Sequence, residues 1–523
     1  MIKHRLPGWR ASAQAFLHPR VVTMMFLGFS AGIPILLIFS SLSLWLREAG
    51  VERAAVTFFS WAALGYSFKF VWAPLVDQMP LPFLTRKFGR RRGWMLASQA
   101  GIMSAIVWMG MTDPAAGPER LTLMAMAAVL LGFSSATQDI AIDAYRIESA
   151  GQDLQAMMAS AYIAGYRTGM LAAGAGALFL ADFFGSSKGG YDYGAWQATY
   201  WIMAGTMIVG VVTVLAVREP DTGVPPVRTY GTRAYVRAFM LFLVAAMGFS
   251  AWFYLTGNPA AGLKHLLVQW GSDPGLAGFA VEALRLLGGI GVAVIIARTA
   301  TRMGVVDRDM VRSSYVAPVA DFFSRYGRSS AWLLLALVGL YRISDIVLGV
   351  IANVFYQDMG FSKTDIAAVV KTFGLFMTIG GGFLGGVLSL KFGVIRILFA
   401  GALLSSLTNL LFVVMAQAGP GLLMLYLVIS ADNLAAGMAG AAFVAFLSGL
   451  TSIRFTAVQY AVFSSLMTLI PKLFSGYSGA MVDTLGYPLF FTLTAALGLP
   501  VLILVVSGGK LLEKAGDRQI RQS

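Results

Sequence analysis

Long apolar stretches, broken by short polar or glycine-proline segments, recur along all 523 residues of the chain. Fourteen can be drawn, at residues 21–46, 54–76, 93–112, 121–143, 158–181, 196–217, 235–255, 278–297, 331–355, 364–388, 395–416, 422–450, 456–482 and 487–506. Each is about 20 residues or more, the length a helix needs to cross a hydrocarbon core. The pattern therefore predicts an all-α integral membrane protein with about 14 transmembrane helices. The first stretch runs on to Trp45 with no small-residue cleavage site, so it reads as a retained anchor rather than a signal peptide.

Composition supports this and removes other classes. Only 12% of residues are charged and 58% are hydrophobic, against about 25% charged in soluble domains. A secreted domain, a cytosolic enzyme and a nucleic-acid binder are excluded. The chain has no cysteine, so no disulfide or thiolate chemistry, and its three histidines are scattered, so no metal site is expected. The net charge of +14 is informative through its distribution. With the N-terminus inside, 27 of the 39 Lys and Arg fall in cytoplasmic segments and six in periplasmic loops. That bias predicts that both termini are cytoplasmic.

The spans group as six, two and six. Residues 1–218 are expected to form one six-helix bundle, 331–523 another with a cytoplasmic tail, and 219–330 a linker with two extra spans and a long cytoplasmic loop. Within that loop, 319–325 could form a short interfacial helix. Two bundles with a substrate site between them are a transporter architecture. The glycines at 165, 169, 174 and 176, and at 380–382, 385 and 386, let helices approach closely.

Charges inside spans normally face a cavity or a partner. The candidates are Lys69, Asp139, Asp143, Arg167, Glu282, Arg285, Arg342, Asp345, Lys371, Asp432 and Lys472. Asp139 and Asp143 share a helical face; Arg342 with Asp345, and Glu282 with Arg285, are spaced to pair along one helix. Asp139, beside Gln138 and short of the helix end, is the leading proton-coupling candidate, with Asp143 and Asp345 behind it. Asp77, Gly89, Arg90, Arg91 and Arg92 suit a charge latch: an acid at a helix end, a glycine turn and an arginine cluster. Lys371, Asn433 and Asp432 stand beside small residues that leave room for a ligand, and Gln459 adds hydrogen-bonding capacity.

The stretches Gly28–Pro34, Phe68–Asp77, Gly89–Trp94, Gln138–Ala144, Gly165–Met170, Val370–Gly374 and Ala442–Phe446 resemble the AmpG muropeptide permease family of the major facilitator superfamily. They cover both halves; the two-span insertion and the tails match poorly. The resemblance implies proton-driven import of anhydro-muropeptides, from periplasm to cytoplasm across a bacterial inner membrane, for peptidoglycan recycling. It also implies a chain that works as a monomer among membrane lipids, is not an enzyme, and needs no cofactor beyond a proton gradient. Lys69, Arg167, Arg342 and Lys371 would then meet peptide carboxylates. Gln138, Asn433, Gln459, Trp72 and Tyr166 would meet the sugars, and Asp432 would join the substrate site. The alternatives are a superfamily transporter of another polar or drug-like solute and a membrane-embedded glycolipid enzyme. Fixed cavity cations argue against a cationic drug, and the periplasmic loops hold no catalytic motif.

Overall fold

The computed structural model describes residues 14–51, 66, 68–186, 190–221, 223, 230–272, 274–362, 365–475 and 478–522. Among them, eleven helices are long and apolar enough to cross a membrane, and these correspond to eleven of the fourteen expected spans. The third and fifth spans are helical (Arg90–Gly110; Gln152–Leu171 continuing to Phe183) but more polar. The second lies largely outside the described residues.

In the first half the helices are α1 (Pro19–Ile38), α2 (Ser40–Glu48), α3 (Arg90–Gly110), α4 (Pro118–Ser149), α5 (Gln152–Leu171), α6 (Tyr193–Thr206) and α7 (Ile208–Ala216). Between α2 and α3 come a turn at Lys69–Val71 and a short helix Ala73–Gln78. The seam between α1 and α5 is built on glycine. A methyl at Gly28 or Gly32 would run into the carbonyl oxygens of Tyr162 and Tyr166, and one at Gly165 or Gly169 into those of Met25 and Phe29. With no side chain on either helix, the backbones touch. Close packing of this kind replaces the hydrophobic drive that lipid cannot supply.

The central section holds α8 (Thr232–Leu255) and α9 (Pro274–Arg302), with the short helix Gly257–Gln269 between them. This pair touches the first bundle through Phe242 on Trp72 and Phe249 on Phe68, with ring centroids 5.6 and 5.5 Å apart. The interfacial helix expected at 319–325 is α10 (Ala317–Tyr326).

The second half comprises α11 (Arg328–Leu340), α12 (Ile343–Asp358), α13 (Gly374–Phe392), α14 (Val394–Ala418), α15 (Leu422–Leu450), α16 (Thr456–Ser475), α17 (Ser478–Ala496) and α18 (Gly498–Gln522). Its own glycine seam joins α13 to α15, where Gly381 and Gly385 meet the backbone of Leu434 and Met438. Three spans are not simple helices. The ninth is broken at Tyr341 and Arg342, between α11 and α12. The tenth opens on a π-helical segment, Ile366–Phe373, which carries Lys371. The range given as α17 is two helices that meet at Gly486, whose φ of +73° is non-helical and which lies between the thirteenth and fourteenth stretches; the fourteenth is itself divided at Leu497, between α17 and α18.

Candidate functional site

The latch residues come together at the arginine-rich end of the first bundle. Gly89 turns the chain into α3 at φ +91°, and a methyl there would strike the Glu219 side chain. The Glu219 carboxylate caps α3, accepting from the backbone N–H of Arg91 at 2.7 Å and of Arg92 at 3.0 Å, where a helix N-terminus favours an anion. Arg91, 1% exposed, donates to Asp77 Oδ1 at 2.7 Å and through Nε to Glu148 at 2.9 Å. Arg90 donates to the Asp77 carbonyl at 2.8 Å, and Arg92 ties the end of α7 through the Val214 carbonyl at 2.9 Å. Sequence reasoning missed Glu148 and Glu219. The available signal was an acid at the end of each of two spans on the arginine side.

A second set joins the two halves at the same end. Arg146, fully buried, donates to Ser448 Oγ of α15 at 2.7 Å and to Gln155 at 3.0 Å. Its guanidinium also sits 5.1 Å from the ring centroid of Tyr460 in α16. Glu148 is hydrogen-bonded to Thr456 of α16. Ser160 of α5 donates to the Gly382 carbonyl of α13 at 2.7 Å. A strap in the central section spans both halves: Tyr315 donates to the Val71 carbonyl at 2.8 Å, and Arg325 to the Leu450 carbonyl at 3.1 Å. The arginine-rich end is closed by these contacts.

The intramembrane ions divide into two groups. In the first bundle, Asp143 is engaged on both sides, 3.5 Å from Lys69 Nζ and 3.4 Å from Arg146. Asp139, one turn away and half-buried, accepts one hydrogen bond among the described residues, from Tyr162 at 3.2 Å. The Tyr162 ring lies 6.0 Å from that of Tyr166. Next to Tyr166, Arg167 is exposed, and its electrostatic neighbour is Arg342 of the opposite bundle.

In the second bundle, Arg342 stands at the break between α11 and α12, with Nε 3.8 Å from Asp345. Asp432 is 3.5 Å from Thr408 Oγ1 and lies within the field of Asp345 and Arg342. Lys371 is exposed and donates to Asn353 Oδ1 at 2.9 Å. Asn433 is held by Thr378 at 2.8 Å and by its own Ile429 carbonyl at 3.0 Å. Among the described residues, neither Arg167 nor Lys371 forms an ion pair with a carboxylate.

Three residues expected to meet sugar are placed elsewhere. Gln459 has its amide filled at the closed end: it donates to the Pro318 carbonyl and Asp321 and accepts from Ser452 N–H and Arg325. Gln138 is fully buried against α1, donating to Ser30 Oγ at 2.6 Å. Trp72, 4% exposed, donates to Thr137 at 3.1 Å and packs on Phe133 and Phe242. Neighbouring segments thus take up the Gln459 amide, the Gln138 amide nitrogen and the Trp72 indole N–H. Lys472, beside Pro471 in α16, joins neither ion group.

Residues 21–340 match the sequence profile of the Major Facilitator Superfamily. The chain belongs to that superfamily. Over 93% of its length it is 28% identical to a putative transporter, AmpG 4, of Rickettsia conorii, covering 96% of that protein. Over 95% it is 28% identical to the anhydromuropeptide permease of Escherichia coli, covering 81% of it. The AmpG resemblance thus extends through both halves. Among solved structures the fold is similar to the proton:xylose symporter XylE, with TM-score 0.58, 12% identity, and coverage of 94% and 96% of the two chains. It is also similar to FucP in its outward conformation, with TM-score 0.57, 12% identity, and coverage of 94% and 99%. The protein is a multi-pass membrane transporter by family and fold; neither is that of an enzyme.

Proposed function

We propose that the chain imports anhydro-muropeptides, N-acetylglucosaminyl-anhydro-muramyl peptides, from periplasm to cytoplasm, driven by protons, in a bacterial inner membrane. The observation that carries this reading is a pair of exposed cations without carboxylate partners among the described residues, Arg167 from one bundle and Lys371 from the other. A cation held in a membrane protein without its anion is costly. An acidic peptide entering between the bundles supplies that anion, and charge-assisted contacts to both halves draw them together. The arginine-rich end, closed here, faces the cytoplasm together with both termini, so substrate enters from the periplasmic side. Asp139, less encumbered than Asp143, carries the proton. The E. coli relative's name, anhydromuropeptide permease, supports the substrate class. The protein works as a single chain.

Substrate competition tests this. Arg167→Gln and Lys371→Gln are expected to weaken acidic anhydro-muropeptide about tenfold or more, the worth of one charge-assisted contact, and the peptide-free disaccharide much less. Equal loss for both ligands contradicts the reading.

A further inference from the structure

A cavity of roughly 270 Å³ lies on the two-helix insertion, between the short helix Gly257–Gln269 and the start of α9. Its walls include Lys264, Gly278, Glu282 and Arg285. Arg285 is locked in place: it donates to Glu282 Oε1 at 2.7 Å, to the Phe253 carbonyl at 2.7 Å and to Thr256 at 3.3 Å, and it covers the Phe253 ring at 4.8 Å. The sequence expectation of a Glu282–Arg285 pair within α9 captures only one of these contacts; the others fasten α9 to α8. Fixing one arginine this firmly leaves some of its five N–H donors available. Lys264, exposed on the opposite wall, forms no ion pair among the described residues. The Glu282 side chain is 59% exposed, so one of its oxygens remains open.

The depth of the cavity is marked independently. Tyr254 and Trp270, at the two ends of the intervening turn and helix, are 88% and 81% exposed. Exposed tyrosine and tryptophan of this kind sit at the layer where headgroups meet hydrocarbon. Glu282 and Arg285 stand near the start of the apolar run Ala280–Arg302. On the same helix, Leu284 and Leu287 are 59% and 64% exposed on the face turned away from Glu282 and Arg285, an apolar surface of the kind that lipid covers. Two cations and one open carboxylate around a headgroup-sized cavity, at the depth that Tyr254 and Trp270 mark on a lipid-facing helix pair, match one chemistry: a phosphate ester bearing a primary ammonium, carried by a lipid.

We propose that this cavity is a binding site for a phosphoethanolamine lipid. The phosphate lies between Lys264 and Arg285, the ammonium on the free oxygen of Glu282, and the acyl chains extend into the surrounding bilayer. An anionic headgroup without an amine leaves Glu282 facing like charge, which sets the preference. The lipid fastens the insertion at its outer end, where α8 and α9 meet few other helices, and has no part in the site between the bundles.

The test is native mass spectrometry of the full chain released from micelles containing equal amounts of palmitoyl-oleoyl phosphatidylethanolamine and the matching phosphatidylglycerol. The parent is expected to retain phosphatidylethanolamine in preference. Lys264→Gln, a surface change that leaves the fold alone, should reduce that retention about tenfold. Glu282→Gln should abolish the preference while keeping phosphatidylglycerol bound, a readout that loss of folding would not give. Retention by Lys264→Gln equal to the parent, or no preference in the parent, overturns the proposal. Displacement by soluble glycerophosphoethanolamine at the same concentration as the lipid overturns the role of the acyl chains.

Discussion

Arg146 in the first bundle donates to Ser448 Oγ in the second at 2.7 Å across 302 positions of chain, with no exposure to solvent. The same guanidinium reaches Asp143, which in turn holds Lys69. A closure contact and an intramembrane ion pair therefore share one side chain. Opening the arginine-rich end must strip Arg146 of its partners in the second bundle, and Asp143 senses the change.

Removing that side chain should open this end. Breaking a buried charged network costs about 3–5 kcal/mol, and Arg146→Gln places part of that cost on the closed state, where the Ser448 and Tyr460 contacts are made. Spin labels at Asp153 and Ile453, both exposed at this end, are expected to move apart in the variant without substrate. An unchanged distance distribution would assign closure to Ser160–Gly382 and the strap instead.

The reverse experiment locks the bundles. A Cβ built on Gly386 lies 3.4 Å from Ser160 Cβ, near the spacing of about 3.8 Å that a disulfide adopts. The chain has no native cysteine, so Ser160→Cys with Gly386→Cys gives one defined bridge. Oxidation should stop transport and a thiol reductant should restore it. Transport that continues with the bridge formed means these helices need not part.

The glycine seam makes a prediction about folding. Gly165→Ala places a methyl against the Met25 carbonyl, whereas at Gly176 the nearest atom is 4.0 Å away. Overpacking of this kind costs about 1–3 kcal/mol, so Gly165→Ala should lower the melting temperature in detergent while Gly176→Ala leaves it unchanged or raises it. Equal shifts would mean that α1 and α5 slide apart freely.

Span positions were legible in the sequence because a helix in lipid must be apolar over its whole length, whatever it touches. The contacts of Asp77 with Arg90 and Arg91 were legible for a related reason: these residues lie close together in the chain, and charges at a span end have few uses. What escaped was decided by contacts between distant helices. Glu219 is defined by the α3 N-terminus 127 residues away, and Arg146 resembles any loop arginine until α15 is placed beside it. Gln459 carries the right chemistry for sugar, but the segments packed on it use it up, and Gln138 is buried with its amide nitrogen on Ser30. The break at Tyr341 and Arg342 was invisible because neither residue is a helix breaker by itself.

Asp139 is the proton carrier in this account because its one bond is a phenol, while Asp143 is held by two cations. Asp139→Asn mimics the protonated acid. It should abolish accumulation against a gradient while substrate exchange across the membrane continues. Accumulation like the parent would pass the role to Asp143 or Asp345.

The most direct measurement is uptake of a labelled anhydro-muramyl tripeptide disaccharide into proteoliposomes containing the purified chain, with the outer face made more acidic than the lumen. The account predicts accumulation above the external concentration that collapses when a protonophore dissipates the gradient. Uptake that only equilibrates, unaffected by the protonophore, would contradict proton coupling, and no uptake of the disaccharide peptide by folded protein would contradict the substrate.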